Sequence, residues 1–135
     1  MYGPNQIKKG KMATVIGIFE DCYESNKPLP VVRPGNQTRR FTHIKDTVNA
    51  CIIAWKKNRC SHYSVASNKS YSIHQLARMF NYKIKYFPKR PGERFSSALK
   101  RMNLTNKVIR IKAKIRLKDY IKDFLSKSFK SSLQK

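Results

Sequence analysis

The stretch from Arg33 to Asp46 reads R-P-G-N-Q-T-R-R-F-T-H-I-K-D and concentrates the residues whose types and spacing suit chemistry. A guanidinium forks two parallel N–H groups onto the oxygens of a phosphate or carboxylate, so an arginine held beside a tight turn is a device for gripping an anion. Arg39 stands in that position. A Pro34-Gly35 turn precedes it, and Arg39, Phe41, Thr42 and Ile44 form a short run whose aromatic and β-branched members suit a strand. The R-R-F triplet breaks strand alternation unless one arginine faces a partner. A second concentration lies at Arg90 and Glu93, in a loop that Pro88 and Pro91-Gly92 expose. An ordinary surface arginine is the competing reading for Arg90.

The elements that must position these groups follow from periodicity. Met12, Val15, Ile16, Phe19, Cys22 and Tyr23 recur at three and four, which predicts an amphipathic helix over 12–23. Leu29 to Val32 reads as a short extended segment. Asp46 suits an N-cap, with Val48, Cys51, Ile52 and Trp55 as the buried stripe of a helix ending near Lys57. His62 to Ala66 alternates as a strand does, and residues 67–70 form a loop. Ser72 with Gln75 spells a capping box ahead of Ile73, Leu76, Ala77 and Phe80. Ile84 and Tyr86 mark another strand, Ser97 to Met102 a brief helix, and Leu117, Tyr120, Ile121, Phe124 and Leu125 a last one. Residues after Ser126 read as frayed. Tyr23 and Lys27 spell Tyr-x-x-x-Lys, a catalytic pattern elsewhere, but Tyr23 continues a buried stripe and Pro28 stops the helix beside Lys27, so packing is the better reading.

Three blocks in order carry a family resemblance: Y-G-P-N-Q at Tyr2 to Gln6, Q-T-R-R-F-T-H-I-K-D at Gln37 to Asp46, and R-P-G-E at Arg90 to Glu93. From Tyr2 to about Leu125 the chain resembles the NAD-dependent epimerase/dehydratase family, the extended short-chain dehydrogenases/reductases acting on nucleotide sugars, with the UDP-glucose 4-epimerase type as the nearest flavour. The resemblance implies an α/β fold of mixed helices and short strands, the C-terminal substrate-binding portion of such an enzyme without its Rossmann domain. It also implies that the chain starts in the middle of a larger fold. Residues 1–126 would be that portion and 127–135 a basic frayed tail.

Under the same resemblance Arg39 and Arg90 clamp the diphosphate of a UDP-sugar and Glu93 takes the ribose. Gln6 and the 29–32 strand lie close to the nucleotide, and Tyr2 and Pro4 border the NAD pocket. The Gly-rich dinucleotide loop and the family's own catalytic Tyr-x-x-x-Lys pair have no counterpart here, so the chain is expected to be inactive alone, with a separate chain as one source of the NAD-binding half. Two departures matter: the family has Asp where Arg40 stands and an aromatic where His43 stands.

Composition bounds the alternatives. The chain has 135 residues, enough for one domain, and 30 Lys and Arg against 7 Asp and Glu give a net charge of +23. Such a field favours polyanions, and a basic nucleic-acid-binding module is the rival reading, although no helix-turn-helix or RNA-platform motif appears. From Lys107 onward ten basic residues face only Asp119 and Asp123, and helical spacing assigns them to a solvated face. Cys22, Cys51 and Cys60 form no C-x-x-C pair, which fits a reducing, cytoplasmic setting without a disulfide framework. His43, His62 and His74 stand at no metal-ligand spacing. No apolar run reaches the roughly 18 residues a membrane helix needs.

Overall fold

A computed structural model describes residues 1–57, 67, 69–89 and 114–132. The first helix, α1, spans Val15–Glu24 and opens three residues later than the periodicity suggests. Thr14 is extended, and its Oγ1 accepts from the Gly17 amide at 3.0 Å, which makes it the N-cap. Backbone bonds from Ala13 to Gly10 and from Thr14 to Ile7 commit the preceding residues to a turn, so Met12 is left 77% exposed. Gly17 is required where α1 crosses residue 7, because a Cβ there would run into the Ile7 carbonyl.

Strand β1, Leu29–Val32, pairs in parallel with β4, Ile84–Phe87, in the register Leu29 to Ile84. Between them in sequence lie β2, Thr38–Arg39, and β3, Tyr71–Ser72, an antiparallel pair with Arg39 opposite Tyr71. Helix α3, Ile73–Met79, follows directly, and Ser72 and Gln75 make both bonds of the capping box. Leu76, Ala77 and Phe80 are then buried against Phe19, Leu29 and Val31 in the core. The strand reading for 39–44 holds only in part. β2 stops at Arg39, and the chain regains sheet pairing at His43, which forms a parallel bridge with Tyr2.

Helix α2, Ile44–Lys57, begins two residues before Asp46, so Asp46 is not its cap. Its carboxylate is buried and accepts from the backbone amides of Lys114 and Ile115, each at 3.1 Å. The Asp therefore ties α2 to the approach of the last helix, across 68 and 69 residues of chain. The apolar stripe assigned to α2 is present but not buried: Val48 is 49%, Ile52 44% and Trp55 77% exposed, and Cys51 is exposed too. Ala50 and Asp46 are the residues this helix buries.

The last helix, α4, spans Leu117–Ser132 and continues past Ser126, where an Asp123–Lys127 pair at 2.7 Å sits one turn apart. Leu117 and Ile121 enter the core, and Phe124 packs against Phe80 and Tyr23. Tyr23 stacks edge-on with Tyr82 at 5.0 Å, in keeping with its reading as a packing residue. The predicted strand at 62–66, the helix at 97–102, Arg90 and Glu93 lie outside the described residues.

Replacing Asp46 with Ala removes a buried carboxylate and leaves two partly buried amides without their acceptor. A stability loss of about 2–3 kcal/mol in urea unfolding is expected, more than the roughly 1 kcal/mol of a lost surface N-cap.

Candidate functional site

Arg39 is placed by its neighbours rather than by its own interactions. The turn before it begins with a cis Arg33–Pro34 bond, and Gly35 follows at φ +76. A side chain at Gly35 would meet Val31 Cγ1 at 2.9 Å in a backbone conformation that L-residues avoid, while its carbonyl accepts from the His74 amide at 2.9 Å. The β2–β3 pairing then fixes the direction of residue 39. The guanidinium donates through Nη1 to the Thr38 carbonyl at 2.9 Å, and no carboxylate pairs with it among the described residues. Arg40 instead donates to the Ser67 carbonyl at 3.0 Å.

Arg39 stands on the wall of a cleft of about 310 Å³. One side is the apolar face of α1, with Val15, Ile18 and Phe19. The other is the sheet, with Pro30 and Val32 of β1 and Phe87 of β4. Gln37 also lines it. Its side chain is 1% exposed, its Nε2 reaches the Val32 carbonyl only at 3.4 Å, and its Oε1 has no partner among the described residues. A cleft with apolar walls and a few fixed polar groups is what a small-molecule site requires.

The residues of the Tyr2 to Gln6 block lie elsewhere. Tyr2 is 2% exposed: its amide donates to Thr42, its carbonyl accepts from Ile44, and its hydroxyl donates to the Ile115 carbonyl at 3.1 Å. Burial, with Asp46 nearby, pushes its phenol far above the usual range. Gln6 is spent on internal bonds, donating to Glu20 Oε1 at 2.8 Å and to the Tyr120 hydroxyl at 3.4 Å, and accepting from Thr14 at 2.8 Å. Pro4 lines a second cleft, of about 470 Å³, together with His43, Tyr120 and Lys45. Arg39 and Gln6 thus do not meet in one cleft, and neither Tyr2 nor Pro4 borders the Arg39 cleft.

Sequence reading missed Gln37, Glu20 and Tyr120. Glu20 is 3% exposed and accepts through Oε1 from Tyr120 at 2.9 Å and from Gln6, while Lys8 stands 3.7 Å from Oε2. Burial raises its pKa above the ordinary carboxylate value, opposed by the Tyr120 bond and then by Lys8. Burial likewise lowers His43, against the pull of Asp46. The one signal available was position: Glu20 sits on the apolar stripe of α1, where a carboxylate needs a partner. Among the described residues no cluster of His, Cys, Asp or Glu could hold a metal, and no helix is long and apolar enough to cross a membrane.

The elements around the Arg39 cleft define a mixed α/β protein of helices and short strands. Residues 1–73 match the family described as NAD dependent epimerase/dehydratase family, and the chain belongs to it. Among solved structures, UDP-N-acetylglucosamine 4-epimerase from Methanobrevibacter ruminantium, in complex with UDP-N-acetylmuramic acid, is similar with a TM-score of 0.78 at 23% identity over 97% of this chain. UDP-glucose 4-epimerase from Thermotoga maritima, with UDP-glucose, has a TM-score of 0.75 at 19% identity over 98% of this chain. A dTDP-glucose 4,6-dehydratase from Bacillus anthracis in complex with NAD reaches 0.72 at 16% identity over 96%. This chain spans 44% of the first two structures and 42% of the third. No curated protein sequence matches it.

Because the folded pKa of Glu20 is raised, the stability tied to its protonated form is complete below the unfolded value and is lost as pH rises through the folded one. Glu20→Gln keeps an acceptor for Tyr120 and Gln6 without the buried charge. Its melting temperature relative to the parent should therefore increase as pH rises above the ordinary carboxylate range through the raised folded-state value. The lowered His43 acts in both proteins and cancels in the difference. A pH-independent difference would show that Glu20 stays ionised at no cost.

Proposed function

We propose that this chain is the nucleotide-sugar-binding part of an NAD-dependent epimerase of the UDP-glucose 4-epimerase type, with Arg39 gripping the diphosphate. The observation that carries this reading is a guanidinium without a carboxylate partner among the described residues, on the wall of a cleft whose lining is apolar apart from Gln37. At about 310 Å³ the cleft is at the small end of ligand sites, roughly 300–1,000 Å³, so it suits one end of a long ligand with the charged linker at its mouth. Arg90 and Glu93 are proposed to complete the grip, as a second diphosphate arginine and a ribose-facing carboxylate. Similarity of fold to the UDP-sugar epimerases and family membership both support the reading.

NAD fits the described residues poorly. The sequence holds no Gly-x-Gly-x-x-Gly turn, and the Tyr2 hydroxyl is committed to a backbone carbonyl. Tyr23 and Lys27 do not replace the catalytic pair, since Tyr23 is packed among Phe80, Tyr82 and Phe124. The chain by itself is therefore proposed to be inactive, the cofactor and the base coming from an NAD-binding half that covers the bare α2 face of Val48, Ile52 and Trp55. One observation favours a second reading, a nucleic-acid binder: the +23 charge. Against it, Tyr2, Phe19, Tyr23, Phe80, Tyr120 and Phe124 stack on one another and offer no faces to bases.

Calorimetric titration separates the two. UDP should bind with clear preference over inorganic phosphate, and Arg39→Ala should weaken it about 10- to 100-fold. Binding to random-sequence DNA that collapses steeply with salt, with no preference for UDP, would support the rival instead. The purified chain, supplied with UDP-glucose and NAD, should give no epimerisation, and measurable turnover would refute the division of labour.

A further inference from the structure

We infer that Gln37 reads the base of the bound nucleotide, accepting a ring N–H of uracil or thymine through Oε1; this rests on the assignment of the Arg39 cleft to a nucleotide. A buried amide oxygen without a hydrogen bond costs about 1–3 kcal/mol, and native folds seldom leave one. Gln37 is 1% exposed, and its Oε1 has no partner among the described residues.

Its neighbours supply no remedy. The backbone of Gln37 is occupied, its carbonyl accepting from the Ile73 amide at 3.0 Å. The Nε2 bond to Val32 is long, at 3.4 Å, so the amide is held loosely and aligns without breaking a strong contact. The other residues on the cleft walls named above are apolar apart from Arg39. A ligand seated in the cleft is placed to bring the donor that Oε1 lacks among the described residues.

The chemistry of that donor follows from the surroundings. Val15, Ile18, Phe19 and Phe87 suit a flat, weakly polar ring. Arg39 lies two residues along the chain from Gln37, which precedes β2, and fixes the phosphate end. A single ring that carries an N–H between two carbonyls meets both halves of the amide: Oε1 accepts the N–H, and Nε2 turns from Val32 to donate to a carbonyl. Uracil and thymine present that edge. A site built around such a bond rejects an analogue without it, because the protein acceptor is then stranded again.

Titration of the intact chain with UDP, with its N3-methylated analogue and with inorganic pyrophosphate tests this. The unmodified chain should prefer UDP to the methylated compound by about tenfold or more. Gln37→Met, similar in length and without the acceptor, should bring the two ligands to near-equal affinity and leave pyrophosphate binding unchanged. Arg39→Ala should weaken all three. Pyrophosphate and UDP binding with no preference in the unmodified chain would overturn the role of Gln37 alone, whether or not the variant folds. A preference that survives Gln37→Met would do the same. Failure to bind either UDP or pyrophosphate would overturn the nucleotide assignment itself.

Discussion

Three segments distant in sequence converge on the ring and backbone of Tyr2. Its amide and carbonyl pair with Thr42 and Ile44, its hydroxyl reaches Ile115, and its ring meets His43 and Tyr120 edge-on at 5.1 and 5.0 Å. One buried side chain thus joins the opening motif, the segment entering α2 and the start of α4. Asp46 reinforces the same junction from the α2 side by taking the amides of Lys114 and Ile115. A parallel pairing needs a long crossover, and the residues between the two halves of the single Tyr2–His43 bridge provide it, with α1 and β1 packed on the way.

The Arg39 cleft is a consequence of that junction. With the chain pinned at residues 42–44, the short β2–β3 pair projects Arg39 toward the gap between α1 and the β1–β4 sheet. Away from that cleft, Gln6, Glu20 and Tyr120 form a partly buried polar knot between the N-terminal loop, α1 and α4. The knot carries a carboxylate at a desolvation cost and returns alignment of three elements, an exchange whose net stability is small. The two features share α1: its apolar face lines the Arg39 cleft, and Glu20 belongs to the knot.

Local signals in the sequence were legible. The Ser72–Gln75 capping box, the 29–32 strand and the 117–125 helix each depend on neighbours within a turn or two, and each is present. Long-range partners were not. Asp46 has the composition of an N-cap, yet its carboxylate serves amides 68 and 69 residues away, a pairing that only the fold reveals. Gln6 sits in a motif that suggests a ligand, but it bonds with Glu20 and Tyr120, the latter 114 positions on. Periodicity found the apolar stripe of α2 and could not say what covers it, because a moment marks a face and not its partner. Arg39 was legible because a turn, a strand and a charge with no neighbouring carboxylate are all local; Gln37, two residues before it, was not, since its significance lies in a buried oxygen without a donor.

Everything proposed for this chain requires that the cleft beside Arg39 receive a nucleotide. Amide chemical-shift mapping during titration with UDP gives the most direct answer, because it locates the ligand without presuming activity. Perturbations should concentrate at Ala13, Val32, Gln37 and Arg39, and leave α2 and the residues around Pro4 largely unmoved. Shifts confined to the lysine-rich face of α4, or centred on the Pro4 cleft, would contradict it.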